Sequence, residues 1–429
     1  MKYPVLARVF LIVRAALSLT VIAVFLLLFI FGVDFFLPLP KCHLGPALGA
    51  CALGAIIVVL LLTLLFGRVY CSFLCPFGAV QDVLILWRRQ KERKNFIITR
   101  YFVLGFILGG LFAGSSLIFL LFDPYSGTGR LLTLGGILTA ILLIVLTFWG
   151  RIFCNTLCPV GALLGFFARF SLFKLRMGES CVSCGLCQKH CLAGCINAKE
   201  KQIDNERCLR CLNCLPACRK GALRFTASSE KKILAQPNLS RRAFLVQGSA
   251  ALVGAALGAG LPLGAKKLFN PEEYPIFPPG AGNSLDFYFK CTNCRLCVTR
   301  CPQKLIVSPK SGIGPVRLKV PENFCRFNCN NCSNVCPTGA LKPLDLLTKQ
   351  KTVIGKAILN PQYCNVFQKG TACGRCGNAC PTKAMTLRAN GTPILAQKKC
   401  IGCGLCAKLC PAEPKAITLK GVPAQETLA

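Results

Sequence analysis

Cysteine is the residue that most limits what this chain can fold into. Twenty-four of its 31 cysteines fall into six quartets with nearly one spacing, C-x2-C-x2-C-x3-C. Two are Cys181, Cys184, Cys187, Cys191 and Cys208, Cys211, Cys214, Cys218. Two more are Cys291, Cys294, Cys297, Cys301 and Cys325, Cys329, Cys332, Cys336. The last are Cys364, Cys373, Cys376, Cys380 and Cys400, Cys403, Cys406, Cys410. Such density would suit a disulfide scaffold, but the spacing fits iron better. A cubane cluster takes three thiolates from one tight loop, whose two-residue gaps aim backbone N–H groups at sulfur; the fourth cysteine then serves the neighbouring cluster. Zinc sites pair C-x2-C with long separations instead. Pro302, Pro337, Pro381 and Pro411 follow the last four quartets, where proline suits a first helical position. Gly185, Gly374, Gly402 and Gly404 are read as places where backbone comes close to the cluster. The expectation is six [4Fe-4S] clusters.

The quartets resemble the bacterial two-cluster ferredoxin fold three times over. That resemblance implies units of two short βαβ-like halves related by pseudo-symmetry. Leu192 and Arg219 stand where proline is usual in the first unit. In resembling four-cluster proteins the motifs pair outer with outer and inner with inner; the sequence leaves the pairing open here. Cys195 is left over, read as a structural thiol with a substitute ligand as the alternative.

Charge-free apolar runs cover residues 15–33, 42–67, 101–122, 131–150 and 243–265. Each is long enough to cross ~30 Å of hydrocarbon as a helix. Lys and Arg in short loops set orientation. Basic residues gather at Lys2, Arg8 and Arg14, at Arg68 and Arg88 to Lys94, and from Arg151 to Arg176; the intervening loops hold only Lys41 and Arg130. The N-terminus, the 68–100 loop and residues 151–242 are therefore expected in the cytoplasm, with the fifth span carrying the C-terminus out. The formal charge of +35 counts thiolates as neutral; six clusters would remove roughly 12 to 18 units. Residues 266–429 keep 23 Lys/Arg against 7 Asp/Glu, which offsets cluster charge or steers an acidic redox partner. No aromatic-and-basic motif points to nucleic acid.

Two stretches match at an offset of 83 residues, RVYCSFLCPFGAVQD from Arg68 and RIFCNTLCPVGALLG from Arg151. Each follows a pair of apolar runs, so the first part of the chain reads as an internal duplication. Cys71 and Cys75, like Cys154 and Cys158, are four apart, and on a helix would share one face. If the halves pack about a twofold axis, the four sulfurs meet in one cofactor site: an iron–sulfur cluster, copper, or a redox disulfide, against the alternative of buried structural thiols. Cys42 and Cys51, beside His43, read as structural. Paired intramembrane histidines for haem are absent from the sequence, as are dinucleotide and P-loop fingerprints.

SRRAFL at 240–245 resembles a twin-arginine export signal, with Val246 where lysine is common. Residues 1–225 resemble the membrane ferredoxin subunit of periplasmic nitrate reductase systems. Residues 238–429 resemble the exported four-cluster partner subunit of those systems and of methylamine-utilisation systems, so the chain reads as a fusion of the two. The resemblance implies a membrane-bound polyferredoxin in the bacterial inner membrane, passing electrons from the quinol pool or a cytoplasmic donor to a periplasmic cytochrome or reductase. No catalytic residue is assigned. The alternative is a copper-reducing assembly factor or a regulatory redox protein with the same C-x3-C-P motifs. The expected fold class is an α-helical membrane domain plus α+β: a duplicated four-helix membrane domain (1–173), one cytoplasmic 2[4Fe-4S] ferredoxin-like unit (174–225), a linker, twin-arginine motif and additional transmembrane helix (226–265), and two fused periplasmic 2[4Fe-4S] units (266–429).

Overall fold

The computed structural model describes residues 4–31, 43, 46–47, 53–85, 96–113, 115, 119, 122–133, 137, 141, 151–227, 241–268, 274–309 and 314–428. Most of the fourth apolar run, the basic residues Arg88 to Lys94, and Cys42 and Cys51 lie outside the described residues. The chain divides into two units, Met1–Leu263 and Gly264–Ala429. The described part is mostly helical, with five small two-stranded antiparallel sheets.

In the first unit, α1 (Pro4–Leu26) continues as a π-helical turn, Leu27–Phe31. Then come α2 (Leu53–Phe66), α3 (Val69–Phe73), α4 (Pro76–Ile85) and α5 (Ile97–Phe112). After them follow α6 (Pro124–Leu132), α7 (Ile152–Thr156) and α8 (Pro159–Ala168). Among the described residues, two helical stretches are long and apolar enough to cross a membrane, Val9–Phe31 and Arg241–Gly260. The second belongs to α11 (Arg241–Leu268). It packs on α5 through small residues: a Cβ on Gly105 or Gly109 would lie 1.9 or 2.1 Å from the carbonyl oxygens of Ala251 and Ala255. Such close backbone approach is typical of helix pairs in lipid, where van der Waals contact replaces the hydrophobic drive.

The segment from Asp123 to Arg130, which the sequence places as a loop between two apolar runs, is a short buried helix. Asp123 caps α6 by accepting from the Ser126 N–H at 2.7 Å, and Arg130 within it is fully buried. Tyr125 of α6 meets Phe25, Phe29 and the His43 ring. This short polar helix therefore sits in an aromatic pocket between the apolar helices, with the cap and Thr128 Oγ1 donating to the Pro124 carbonyl at 2.8 Å among its local hydrogen bonds.

Residues 173–227 form the expected ferredoxin-like arrangement. Strand β1 (Phe173–Met177) pairs with β4 (Leu223–Ala227), β2 (Ile196–Asn197) pairs with β3 (Gln202–Ile203), and short helices α9 (Leu186–Lys189) and α10 (Cys214–Ala217) lie between. The second unit repeats the outer pair and inner hairpin with Gly355–Leu359 against Ile417–Gly421 and Met385–Leu387 against Pro393–Leu395. A further hairpin joins Ile306–Val307 to Arg317–Leu318.

Candidate metal centres

The cysteine loops that begin at Cys181, Cys208, Cys291 and Cys400 each turn twice through left-handed backbone. Gly402 and Gly404 flank Cys403 at φ of 72° and 85°. Glycine takes that conformation without strain at Gly404. Gly402 has a second reason, since a Cβ there would lie 2.2 Å from the Gly355 carbonyl oxygen. The close approach is thus between chain segments, while Gly185 has open space around it and serves the turn alone.

The quartets exchange their last cysteines. Cys181, Cys184 and Cys187 line a cavity of about 230 Å³ with Cys218, not Cys191. Cys211 and Cys214 face Cys208 and Cys191. In the second unit Cys291, Cys294 and Cys297 share a cavity with Cys336, and Cys325, Cys329 and Cys332 face Cys301. Cys364, Cys373 and Cys376 line a third cavity with Cys410, and Cys400, Cys403 and Cys406 a fourth with Cys380. The pairing is therefore first with second and third with fourth, unlike the outer-with-outer scheme of resembling proteins. Backbone N–H groups point at the exchanged sulfurs: Ala222 at Cys218 (3.3 Å), Leu341 at Cys336 and Met385 at Cys380 (both 3.4 Å).

The donor sets fit iron–sulfur clusters. Burial pushes the Cys187 thiol up to about 11 and Cys211 to about 12, so their thiolates need compensating positive charge. Among the described residues, no group of three or more His, Cys, Asp or Glu converges tightly enough for a single ion. Four soft sulfurs around a wider space suit a multi-iron group, which when bound supplies one-electron chemistry. Cys195, left over in the sequence, has a defined place. Its sulfur lies 3.5 Å from Cys191 Sγ and it also hydrogen-bonds Cys208; that bond holds the Cys208 thiol down near 6.

The C-x3-C-P motifs are not single helices. Proline cannot continue the turn, so Cys71 and Cys154 sit in short helices α3 and α7, while Cys75 and Cys158 immediately precede α4 and α8. Convergence on one helix face is replaced by a helix–turn–helix. The N–H groups of Cys75 and Cys158 each reach back five residues, to Tyr70 O at 3.0 Å and Phe153 O at 2.9 Å. The motifs then interlock reciprocally. Arg68 donates to its own Cys71 Sγ (3.9 Å) and to the Cys154 carbonyl (2.9 Å). Arg151 donates to Cys154 Sγ (3.8 Å) and to the Cys71 carbonyl (3.2 Å). All four cysteines are buried and face one another electrostatically. Sequence reasoning found the cysteines but gave these arginines only an orienting role at the membrane edge.

Arg68 also reaches the carbonyls of Glu206 and Arg207 (both 3.4 Å), directly before Cys208. The four-cysteine site and the Cys208 quartet thus share one guanidinium. Beside them lies an apolar cavity of about 390 Å³, lined by Phe10, Leu62, Phe66, Val69, Tyr70, Phe73 and by Arg210 and Leu212 on either side of Cys211.

Comparison with known sequences agrees with this chemistry. A family described as a 4Fe-4S binding domain matches residues 48–95 and 131–178, and a 4Fe-4S dicluster domain matches residues 290–340 and 369–416. The methylamine utilization ferredoxin-type protein MauM of Methylorubrum extorquens is 32% identical over 38% of this chain and 80% of its own. The ferredoxin-type protein MauN of Methylobacillus flagellatus is 32% identical over 44% and 73%. The ferredoxin-type protein NapH of Haemophilus influenzae is 28% identical over 43% and 70%. No solved structure matches. With thiol quartets, dicluster domains and these relatives in agreement, the chain belongs to the ferredoxin-type membrane electron-transport proteins that carry 4Fe-4S domains.

Proposed function

We propose that the chain is a membrane-bound polyferredoxin that passes electrons from the quinol pool to a redox partner on the other side of the membrane. Six [4Fe-4S] clusters, each held by three cysteines of one quartet and the last of its neighbour, carry them. The observation that carries this reading is the contact made by Arg68, which joins the four-cysteine site of the helical part to the loop before Cys208. A ferredoxin-like unit pinned to apolar helices in this way is built to exchange electrons with a lipid-dissolved donor. The residues 173–227 lie on the cytoplasmic side in this reading, and α11 leads to an exported second unit with a basic surface for a periplasmic cytochrome or reductase.

The apolar cavity beside Cys211 is the entry port for quinol. Its volume falls in the usual range of small-molecule pockets, and its apolar lining suits a lipid-dissolved ring. A Val69→Trp substitution fills that space. Quinol-driven reduction of the clusters in proteoliposomes should slow at least tenfold, while reduction by dithionite stays unchanged. Equal rates with quinol would overturn the port; no reduction of the wild-type chain by any quinol would overturn the donor. Reporters fused before Arg241 and after Leu268 should answer from opposite compartments, and a shared compartment removes the sidedness.

A further inference from the structure

We infer that Lys349 is a built-in counter-charge for the donor set Cys325, Cys329, Cys332 and Cys301, which gives that site the highest potential in the second unit and makes it the place where an electron collects. Three observations lead there.

The first is burial. Residues 266–429 carry 23 Lys/Arg. Among the described residues of the second unit Lys349 alone of these is buried, at 3% exposed. A buried ammonium is costly unless an anion offsets it. The hydrogen bonds of its Nζ go to the carbonyls of Arg326 and Phe327, the second at 2.9 Å, and both acceptors are neutral. Asp345, one turn earlier on the same helix, is exposed and accepts from the Thr348 N–H at 3.0 Å as the N-cap. Among the described residues no carboxylate pairs with Lys349.

The second is where the charge sits. Arg326 and Phe327 follow Cys325 directly, so both carbonyls belong to the ligand loop. The ammonium also interacts with the Cys325 sulfur and favours its anionic form. Neutral thiols do not offset such a cation. A cluster bound by four thiolates, with roughly two negative charges, does.

The third is the loop itself. This quartet opens with C-x3-C, and all three residues between Cys325 and Cys329 are held from the short helix Leu346–Lys351. Lys349 takes the first two through their carbonyls, and Gln350 Nε2 donates to Asn328 Oδ1 at 2.7 Å. Just before the helix, the Leu344 carbonyl accepts from Asn330 Nδ2 at 2.8 Å. The helix lies between the two stretches that match the dicluster domain, 290–340 and 369–416. The matched segments thus carry the cysteines, and a segment outside them carries the charge.

A fixed positive charge beside the sulfurs favours the more negative, reduced state of a cluster and raises its potential. Lys349 acts through the ligand loop and is a positioning residue. It stays an ammonium while one electron passes in from the adjoining donor set, and no proton moves. The Cys325 N–H donates to the Cys403 carbonyl oxygen at 2.8 Å, so the collecting site stands where two cysteine loops of different modules meet. The inference deepens the electron-transfer reading and rests on it for the use of the site. Its tests read potential and iron, so a chain that shows the expected midpoints but passes no electrons would remove that reading and leave the counter-charge standing.

The test uses the full chain, isolated without oxygen in detergent and titrated by potentiometry with EPR. Lys349→Gln should keep the iron and shift one cluster at least tenfold toward its oxidised form, about 59 mV lower in midpoint. Lys349→Arg should retain most of the wild-type midpoint. Gln350→Ala, which loosens the same loop without changing charge, should move no midpoint. The shift should persist at high salt, since a buried charge is poorly screened, and should vanish in a Cys329→Ser background that lacks the cluster. An unmoved midpoint in Lys349→Gln, an equal shift in Gln350→Ala, a shift that survives in the Cys329→Ser background, or loss of four iron atoms from the glutamine variant would overturn the counter-charge. In the wild type, the cluster missing from Cys329→Ser should be the first of the four in the second unit to be reduced; any later place in that order overturns the collecting site. That order is read without the glutamine variant, and so decides even if the variant does not accumulate.

Discussion

Cys195 shows how much one side chain adds to a cluster site without ligating it. It is buried beside Cys191 and Cys208, two sulfurs of the same donor set, and its backbone N–H also points at Cys191 Sγ at 3.4 Å. A hydrogen bond is worth about 0.5–1.5 kcal/mol net, enough to shift a one-electron equilibrium several-fold. Cys195→Ala should therefore leave the iron content unchanged and lower the midpoint of the Cys191/Cys208 cluster. Potentiometry followed by EPR checks this; loss of four iron atoms would instead make Cys195 a ligand. The spacing of the sequence marks the candidate ligands, because a tight loop dictates it. It left Cys195 over, because its contact with Cys208 depends on the fold bringing the second loop back. The same holds for Glu206, which accepts from Tyr101 at 2.8 Å and pairs with Arg100 and with Arg169 at 2.6 Å. Nothing local in the sequence marks that carboxylate as the peg between the helical part and the Cys208 loop.

Among the elements, α11 changes meaning most between sequence and structure. Its Gly/Ala-rich composition reads as the weakly apolar core of an export signal. In the fold the same glycines are a packing face. Gly254 and Gly258 would bring a Cβ within 2.2 and 1.9 Å of the Phe102 and Phe106 carbonyl oxygens, and Gln247 accepts from Arg169 at 2.6 Å. A helix in such close backbone contact with α5 is expected to stay with the first unit. Purified protein should accordingly run as one uncut chain of 46.4 kDa, and mass spectrometry showing cleavage within residues 241–268 would refute a retained anchor. Gly105→Leu has no room against Ala251 and should lower the thermal stability of the first unit by about 2–4 kcal/mol, a range like that of other overpacked or strained contacts. The apolar runs of α1, α2, α5 and α11 were legible because charge-free length is a strong signal. Helix α6 was not. With Arg130 it reads as a loop between two apolar runs, and the cap at Asp123 and the aromatic pocket around Tyr125 emerge only in the fold.

At the scale of the whole chain, the order of the cysteine sites in space differs from their order in sequence. The sequence predicts how many donor sets there are, but each fourth cysteine crosses to another set, so succession along the chain says little about which sites adjoin. In the second unit the two paired modules meet at several points, one of them between cysteine loops: the Cys325 N–H donates to the Cys403 carbonyl oxygen at 2.8 Å, and these cysteines also interact electrostatically. The donor set of Cys325, Cys329, Cys332 and Cys301 therefore borders that of Cys400, Cys403, Cys406 and Cys380, while the sets containing Cys291 and Cys364 belong to opposite modules. A wire arranged so has two inner and two terminal sites, and they differ in what their loss does. Cys329→Ser removes a ligand from an inner site and should cut electron exchange between the terminal sites at least a hundredfold, with the Cys291 and Cys364 clusters still present by EPR. Cys373→Ser removes a ligand from a terminal site and should leave exchange among the other three intact. Rapid-freeze EPR after reduction by a photochemical donor distinguishes the two, since tunnelling past a missing inner site must span two gaps in one step. If both variants slow exchange alike, the sites are not in series and the contact between Cys325 and Cys403 is only structural.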